Sequence, residues 1–311
     1  MDFNGGRAAG AGVEVHGHRG ARGLRPENTL PGFAYALELG VDAVELDVGR
    51  TADGVPVLNH DQALSPLNVA DTRPATPGDP AFPYVGTPIR DLTLAQIRTV
   101  DAGVRRPERP ADDPFARTQA RLPGTPLPTL DEACALIGTA PAVRLHVELK
   151  TDPSWPRAEV AAFTAAVADV LAAHGLTARG RLLAFDWRVL AEARRYDPRL
   201  GRVALVERKT LVPGAGWLAG LDPADPVGSA LEIGATALSP EHLLTTPELV
   251  GEADRLALPV AVWTVNDPAE MARFAGYGVD AIVTDRPDRL RRVLAGLGLP
   301  LPVPEPAPVL S

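Results

Sequence analysis

Arg144-Leu145-His146-Val147-Glu148-Leu149-Lys150 alternates polar and apolar residues without a break. Successive side chains of a strand point to opposite faces, so His146, Glu148 and Lys150 share one side and the aliphatic residues take the other. Ala43-Val44-Glu45-Leu46-Asp47-Val48 repeats the pattern, with Glu45 and Asp47 opposed to Leu46, and Val15-His16-Gly17-His18 sets two histidines on one face. If helices cover the aliphatic faces, the polar sets must point inward. In a closed parallel barrel that means toward the mouth, where catalytic residues of this architecture sit.

Outward from these segments, short β-branched runs alternate with alanine-rich amphipathic stretches. Strands are expected near Val13–Gly17, Ala43–Val48, Arg144–Leu149, Arg181–Phe185, Arg202–Val206, Ala235–Ser239, Val260–Thr264 and Ala281–Thr284. Helices are expected near Thr29–Leu39, Leu130–Ile137, Arg157–His174, Trp187–Tyr196, Pro247–Leu258, Pro268–Ala275 and Pro287–Ala295, with the residues before Ala235 reading as loop. This order predicts an α/β fold, a (β/α)₈ barrel occupying residues 13–297. Asp53-Gly54 reads as a hairpin turn extending the second strand. The stretch 61–128 is too long for a plain loop, is helical only near Thr93–Val100, and is expected to form a cap-like insertion. The tail 298–311 is too rich in proline to be helical.

The chain has 311 residues, a net charge of −8 and 45% hydrophobic residues. An acidic balance argues against a nucleic-acid or anionic-membrane surface but not against a small anionic substrate held by a local cluster. Cys134 is the only cysteine, so an intrachain disulfide is excluded, and its place on a helix reads as a small apolar residue. Neither a secretory leader nor an apolar run of ~18 residues is seen, so a cytoplasmic protein without stable membrane insertion is expected.

Any one histidine or glutamate on these strands could be structural. Three carboxylates, Glu45, Asp47 and Glu148, directed into one space would repel unless a cation neutralised them. An all-oxygen set suits Mg²⁺ or Ca²⁺ better than zinc.

The runs His18-Arg19-Gly20, Pro26-Glu27-Asn28-Thr29, Glu45-Leu46-Asp47, Asp53-Gly54, His60-Asp61, Glu148-Leu149-Lys150 and Thr284-Asp285-Arg286-Pro287 together resemble the glycerophosphodiester phosphodiesterase family, in its order and spacing. The resemblance implies a (β/α)₈-type barrel with an insertion after the second histidine. It implies Glu45, Asp47 and Glu148 as ligands of one divalent metal, His18 and His60 as acid–base groups, and Arg19 and Lys150 as phosphate holders. Trp263 matches an aromatic near the substrate. Ala184 departs from the family's Ser-Phe-Asp run at Phe185-Asp186, and His146 stands where relatives often have Asn, so neither is given a catalytic role. The implied reaction converts a glycerophosphodiester to glycerol 3-phosphate and an alcohol through a cyclic phosphate. Three carboxylates against a divalent ion, Arg19 and Lys150 leave about one positive charge to face the diester, which suits its binding. Two rivals stay open: a lyase-type phospholipase acting on sphingo- or lysophospholipids, and a binding protein that has lost its chemistry.

His18→Ala and His60→Ala are each expected to lower kcat by about 10²–10⁴-fold. His174→Ala and His242→Ala should leave diester turnover unchanged. Steady-state kinetics of the four variants checks this.

Overall fold

The computed structural model describes residues 12–306. Its eight parallel strands are β1 (Glu14–Gly17), β2 (Ala43–Arg50), β3 (Arg144–Leu149), β4 (Gly180–Ala184), β5 (Gly201–Val206), β6 (Ala237–Pro240), β7 (Ala261–Val262) and β8 (Ala281–Thr284). Each is followed by a helix: α1 (Leu30–Leu39), α2 (Leu130–Gly138), α3 (Arg157–Ala173), α4 (Arg188–Tyr196), α5 (Pro226–Ile233), α6 (Pro247–Arg255), α7 (Pro268–Tyr277) and α8 (Pro287–Gly296). β1 lies between β8 and β2, with Glu14 opposite Ala281 and His16 opposite Ala43. Parallel bridges Leu238–Val260 and Glu241–Trp263 join β6 to β7 and close the ring.

The alternation read from the sequence extends around the whole barrel. Val15, Leu46, Val147, Leu182, Ala204, Leu238, Val262 and Ile282 face outward and pack with the helices in the main core. The inward residues divide by sector. Leu183, Val203, Leu205, Ala237, Ala261, Ala281 and Val283 form an apolar lining on β4 to β8. The polar inward residues Glu45, Asp47 and Glu148 lie on β2 and β3, with His16 and His146 buried below them and their rings edge-on at 4.6 Å. Arg181 also fills the barrel floor, and Gly201 makes room for it: a Cβ there would lie 1.9 Å from Arg181 Cδ.

α5 is a correction to the sequence reading, which left its residues as loop. Its segment is short and carries Gly228 and Ser229, both poor helix formers. The end signals were nonetheless present. Asp225 Oδ1 accepts from Gly228 N at 2.8 Å, Pro226 opens the first turn, and Gly234 closes the helix at φ +81°.

The hairpin at Asp53-Gly54 is formed, pairing Val48 with Leu58 and Arg50 with Pro56 in antiparallel register. Beyond it, only Leu94–Ile97 of the expected helix near Thr93–Val100 is α-helical; Val100–Asp101 pairs instead with Ala70–Asp71. This segment buries a separate cluster that includes Leu64, Tyr84, Leu92 and Ile97. It also grips the loop between β1 and α1: Thr118 Oγ1 donates to Gly23 O (2.6 Å), Gln119 Nε2 to Arg22 O (2.7 Å), and Ala120 N to Leu24 O (2.9 Å). Residues 301–306 are irregular and held by Arg291 Nη1 donating to Pro302 O (2.6 Å) and Glu305 N to Leu37 O (3.0 Å). The last part of the proline-rich tail, 307–311, and residues 1–11 lie outside the described residues. No helix among the described residues is long and apolar enough to cross a membrane.

Candidate active site

Register places the acidic residues before any loop is considered. Asp47 on β2 is directly opposite Glu148 on β3, and Glu45 lies two residues below Asp47 on the same inward face. One oxygen from each of Glu45, Asp47 and Glu148 falls within 4.8 Å of the others, and all three residues are buried. Burial pushes Glu45 well above the usual carboxylate range, and the neighbouring charges of Asp47 and Glu148 push it further. Burial also raises Glu148, with Lys150 opposing and Asp47 reinforcing the shift. Asp47 goes the other way: burial would raise it, but Lys150 and Arg19 outweigh that and hold it well below the ordinary value. The cluster fits a hard divalent ion by donor type and by its unmet demand for positive charge.

Cations of the chain already meet part of that demand. Lys150 Nζ lies 2.8 Å from Asp47 Oδ1 and 2.5 Å from Glu148 Oε1. Arg19 donates its backbone N–H to Glu45 Oε2 (2.8 Å), its Nη1 to Glu27 Oε1 (2.7 Å), and sets Nε 3.2 Å from Asp47 Oδ2. Arg19 and Lys150, expected to hold phosphate, are thus primarily tied to the carboxylates beside it.

The Pro26–Thr29 run explains how this is held. Glu27 binds both Arg19 and Arg22, the latter at 2.6 Å, and its carboxyl stays low because the two guanidiniums outweigh its burial. Asn28 clasps Asp47 twice: Nδ2 donates to Asp47 Oδ2 (2.9 Å), and Oδ1 accepts from Asp47 N (3.1 Å). Thr29 caps α1 by accepting from Gly32 N at 3.2 Å. Arg19 and Asn28 both take a left-handed backbone, φ +50° and +53°, which is uncommon outside glycine and persists where surrounding contacts over-determine it.

Each histidine is oriented by a carboxylate. His18 Nδ1 is 2.6 Å from Asp285 Oδ1, leaving Nε2 toward the cavity and 4.0 Å from Glu45 Oε2. Burial lowers the His18 pKa despite the opposing pull of Asp285. Asp285 also accepts from Asn266 Nδ2 at 2.7 Å; burial would raise it, but His18, Arg22 and Asn266 hold it down to about 2. His60 Nδ1 is 2.8 Å from Asp61 Oδ1, and the ring is 35% exposed. Both histidines open on one cavity of about 630 Å³, which Glu45, Glu148, Lys150, Phe185 and Trp263 also line. Asp61 and Gln62 are the residues of the long 61–128 segment among its lining.

The remaining sequence assignments separate cleanly. Ala184 is buried in the outer core, so its departure from the family pattern falls on the helix-facing side, while Phe185 faces inward. Asp186 binds Arg188 at 2.7 Å beside the start of α4. His146 is buried below the cluster, and burial pushes its pKa well down. His174 meets Asp131 at 2.8 Å at the surface, away from the cavity, and His242 is not among the lining residues. Cys134 is a free thiol in the helical layer, pushed up to about 12 by burial. Sequence reasoning gave no role to Glu27, Asn28, Arg22, Asn266 or Asp285. Their contacts lie within a loop, join a loop to a strand or link opposite ends of the chain, where no periodicity reports them, although Glu27, Asn28 and Asp285 stand inside the quoted motifs.

A barrel that concentrates negative charge, cations and oriented imidazoles at one point of its mouth has the layout of a barrel enzyme's active site. The profile of the Glycerophosphoryl diester phosphodiesterase family matches residues 18–289, and the chain belongs to that family. A glycerophosphodiester phosphodiesterase of Caldanaerobacter subterraneus subsp. tengcongensis is 29% identical over 277 residues, 89% of this chain and 95% of the relative. A crystal structure from Silicibacter pomeroyi DSS-3, bearing a glycerophosphoryl diester phosphodiesterase designation, is 35% identical with a TM-score of 0.80, covering 96% of this chain and 98% of that one. The fold is shared with an Oleispira antarctica phosphodiesterase crystallised with sn-glycerol-3-phosphate, 24% identical with a TM-score of 0.67 over 91% of this chain and 97% of that one.

Asp285→Asn is expected to lower kcat by about 10²-fold, because the His18 ring loses the partner that fixes its tautomer. The depressed pKa of Asp285 stabilises the fold fully above the ordinary carboxylate pKa near ~4, and that stability is lost as pH falls toward about 2. Equilibrium unfolding between those pH values should therefore show a weaker acid dependence in the variant.

Proposed function

We propose that the protein hydrolyses glycerophosphodiesters to glycerol 3-phosphate and an alcohol, with a divalent metal and a cyclic phosphate intermediate. The observation that carries this is the convergence of Glu45, Asp47 and Glu148 within 4.8 Å of one another, with Glu45 and Glu148 lining the cavity that His18 and His60 share. The glycerol 3-phosphate bound to the Oleispira antarctica structure supports the product assignment. A Mg²⁺ or Ca²⁺ ion held by the three carboxylates would supply positive charge and lower the pKa of a substrate hydroxyl.

The chain's own groups then divide the work. His18, with Nδ1 committed to Asp285 and its pKa lowered by burial, is neutral near pH 7 and accepts the hydroxyl proton at Nε2. That oxygen attacks phosphorus, and His60, oriented by Asp61, protonates the departing alcohol. Water opens the cyclic phosphate with the two roles exchanged. Lys150 keeps one N–H beyond those aimed at Asp47 and Glu148, and Arg19 keeps its Nη2 group, so each can meet a phosphate oxygen while still bound to its carboxylates. Trp263, fixed by Nε1 donating to Ser239 O at 2.9 Å, supplies an apolar wall. Residues 13–297 act as one barrel domain, and the 61–128 insertion steadies the loop that carries Arg22 and Glu27.

Release of glycerol 3-phosphate from glycerophosphocholine should stop in excess chelator and return with Mg²⁺ or Ca²⁺, while Glu148→Gln weakens metal binding and leaves the barrel folded. Full turnover by metal-free protein would refute the metal requirement. Accumulation of a cyclic product without glycerol 3-phosphate would favour the lyase reading.

A diester whose neighbouring hydroxyl is replaced by hydrogen is expected to bind competitively and react orders of magnitude more slowly, because intramolecular attack can be worth up to about 7–11 kcal/mol. Equal cleavage of the deoxy and natural diesters would require direct attack by water.

A further inference from the structure

We propose that a second cavity, at the carboxyl end of β2, is a binding site for a phosphate group, either inorganic phosphate or the end of a small phosphomonoester. It encloses about 180 Å³ and shares no lining residue with the catalytic cavity, so it stands apart from the diesterase reading. Three segments build it. Arg50 is the last residue of β2, Arg90 belongs to the short turn Ile89–Asp91 of the insertion, and Trp155 and Glu159 come from the loop after β3 and the first turn of α3. Ala52 N donates to Leu92 O at 2.8 Å, which ties the β2 hairpin to the insertion turn, so the stems of Arg50 and Arg90 start from one braced unit.

The charge on these walls is not balanced. Arg50 is half-buried, and among the described residues its guanidinium has no hydrogen-bond acceptor, ion-pair partner or aromatic face. The arginines at the catalytic cavity differ in this respect, since Arg19 and Arg22 are both tied to Glu27. Arg90 lies over the Trp155 ring, 4.9 Å from its centroid, and its Nη2 donates to Glu159 Oε2 at 2.9 Å. Trp155 is buried and packs beside Phe163, and its carbonyl accepts from Arg188 Nη1 at 2.9 Å, so the platform under Arg90 is fixed. Two guanidiniums against one carboxylate leave the cavity positive. A carboxylate occupies one guanidinium fork, whereas a tetrahedral oxyanion has the further oxygens and the extra charge to meet both. Arg90 and Glu159 are 46% and 36% exposed, so releasing Glu159 to solvent costs little against two charge-assisted contacts.

Calorimetric titration of the full-length protein with inorganic phosphate, and separately with glycerol 3-phosphate, tests the site; inhibition of glycerophosphocholine turnover by phosphate reports on the catalytic cavity in parallel. The wild type is expected to show a binding step that Arg50→Gln and Arg90→Gln each weaken by about tenfold or more, and that Glu159→Gln strengthens severalfold by removing the competing carboxylate. The inhibition constant of phosphate should stay within about twofold of the wild type in all three variants, because the two cavities share no residue. Arg50→Lys, which keeps the charge and gives up the fork, should bind phosphate with intermediate affinity. Phosphate binding that is unchanged in Arg50→Gln, or weakened in Glu159→Gln, overturns the proposal, as does equal displacement by acetate. Equal or tighter binding of phosphate relative to glycerol 3-phosphate assigns the site to the free ion, and tighter binding of glycerol 3-phosphate assigns it to the ester.

Discussion

Three carboxylates cannot share a buried patch of barrel wall without compensation, and much of the polar architecture of this protein supplies it. Glu45, Asp47 and Glu148 are brought together by strand register, which no side-chain rearrangement can undo. Lys150 and Arg19 offset part of their charge, and Glu27 in turn fixes Arg19. Asn28 secures Asp47 through both its main chain and its side chain. Burying like charges is costly unless each is paired and hydrogen-bonded, so the motif around Glu27 reads as the solution to an electrostatic problem posed by β2 and β3.

The same constraint explains the left-handed residues of the first loop. Arg19 must turn back sharply after β1 for its N–H to reach Glu45 and its guanidinium to reach Asp47 and Glu27. Asn28 must present both ends of its amide to one residue. The insertion braces this loop from outside: Arg105 reaches Glu27 Oε2 at 3.7 Å and binds Asp113 at 3.0 Å, and Phe115 lies beneath both Arg22 and Arg105 with centroids 5.3 Å from each. The long segment therefore reaches the site through the residues it positions as well as through Asp61 and Gln62, which line the cavity.

Legibility in the sequence followed the range of the interaction. Alternation is local, so Glu45, Asp47 and Glu148 could be placed on one inner face from β2 and β3 alone. The barrel followed from repeated βα units, and His18 and His60 from their motifs. The α5 segment escaped because its hydrophobic pattern is weak over so few residues, although Asp225-Pro226 and Gly234 marked its ends. The Asp285–His18 contact joins positions 267 residues apart, and the two-way clasp of Asn28 on Asp47 joins a loop to a strand. Periodicity carries neither kind of information. Nor could it show that Lys150 lies between two acids, because a strand pattern gives the face of a side chain and not its reach.

The division of the barrel interior has a consequence for heredity. The acidic cluster and its bracing are encoded between His18 and Lys150, and the aromatic wall between Phe185 and Trp263. The acidic and aromatic sectors thus occupy separate stretches of the gene. Variation in the second stretch can reshape the aromatic wall while the first is transmitted intact, and recombination near residue 151 could pair one acidic half with many aromatic halves. The stitch between them is Asp285, which lies near the end of the described chain yet holds the first histidine. Any such exchange must carry the last strand along with a compatible first loop.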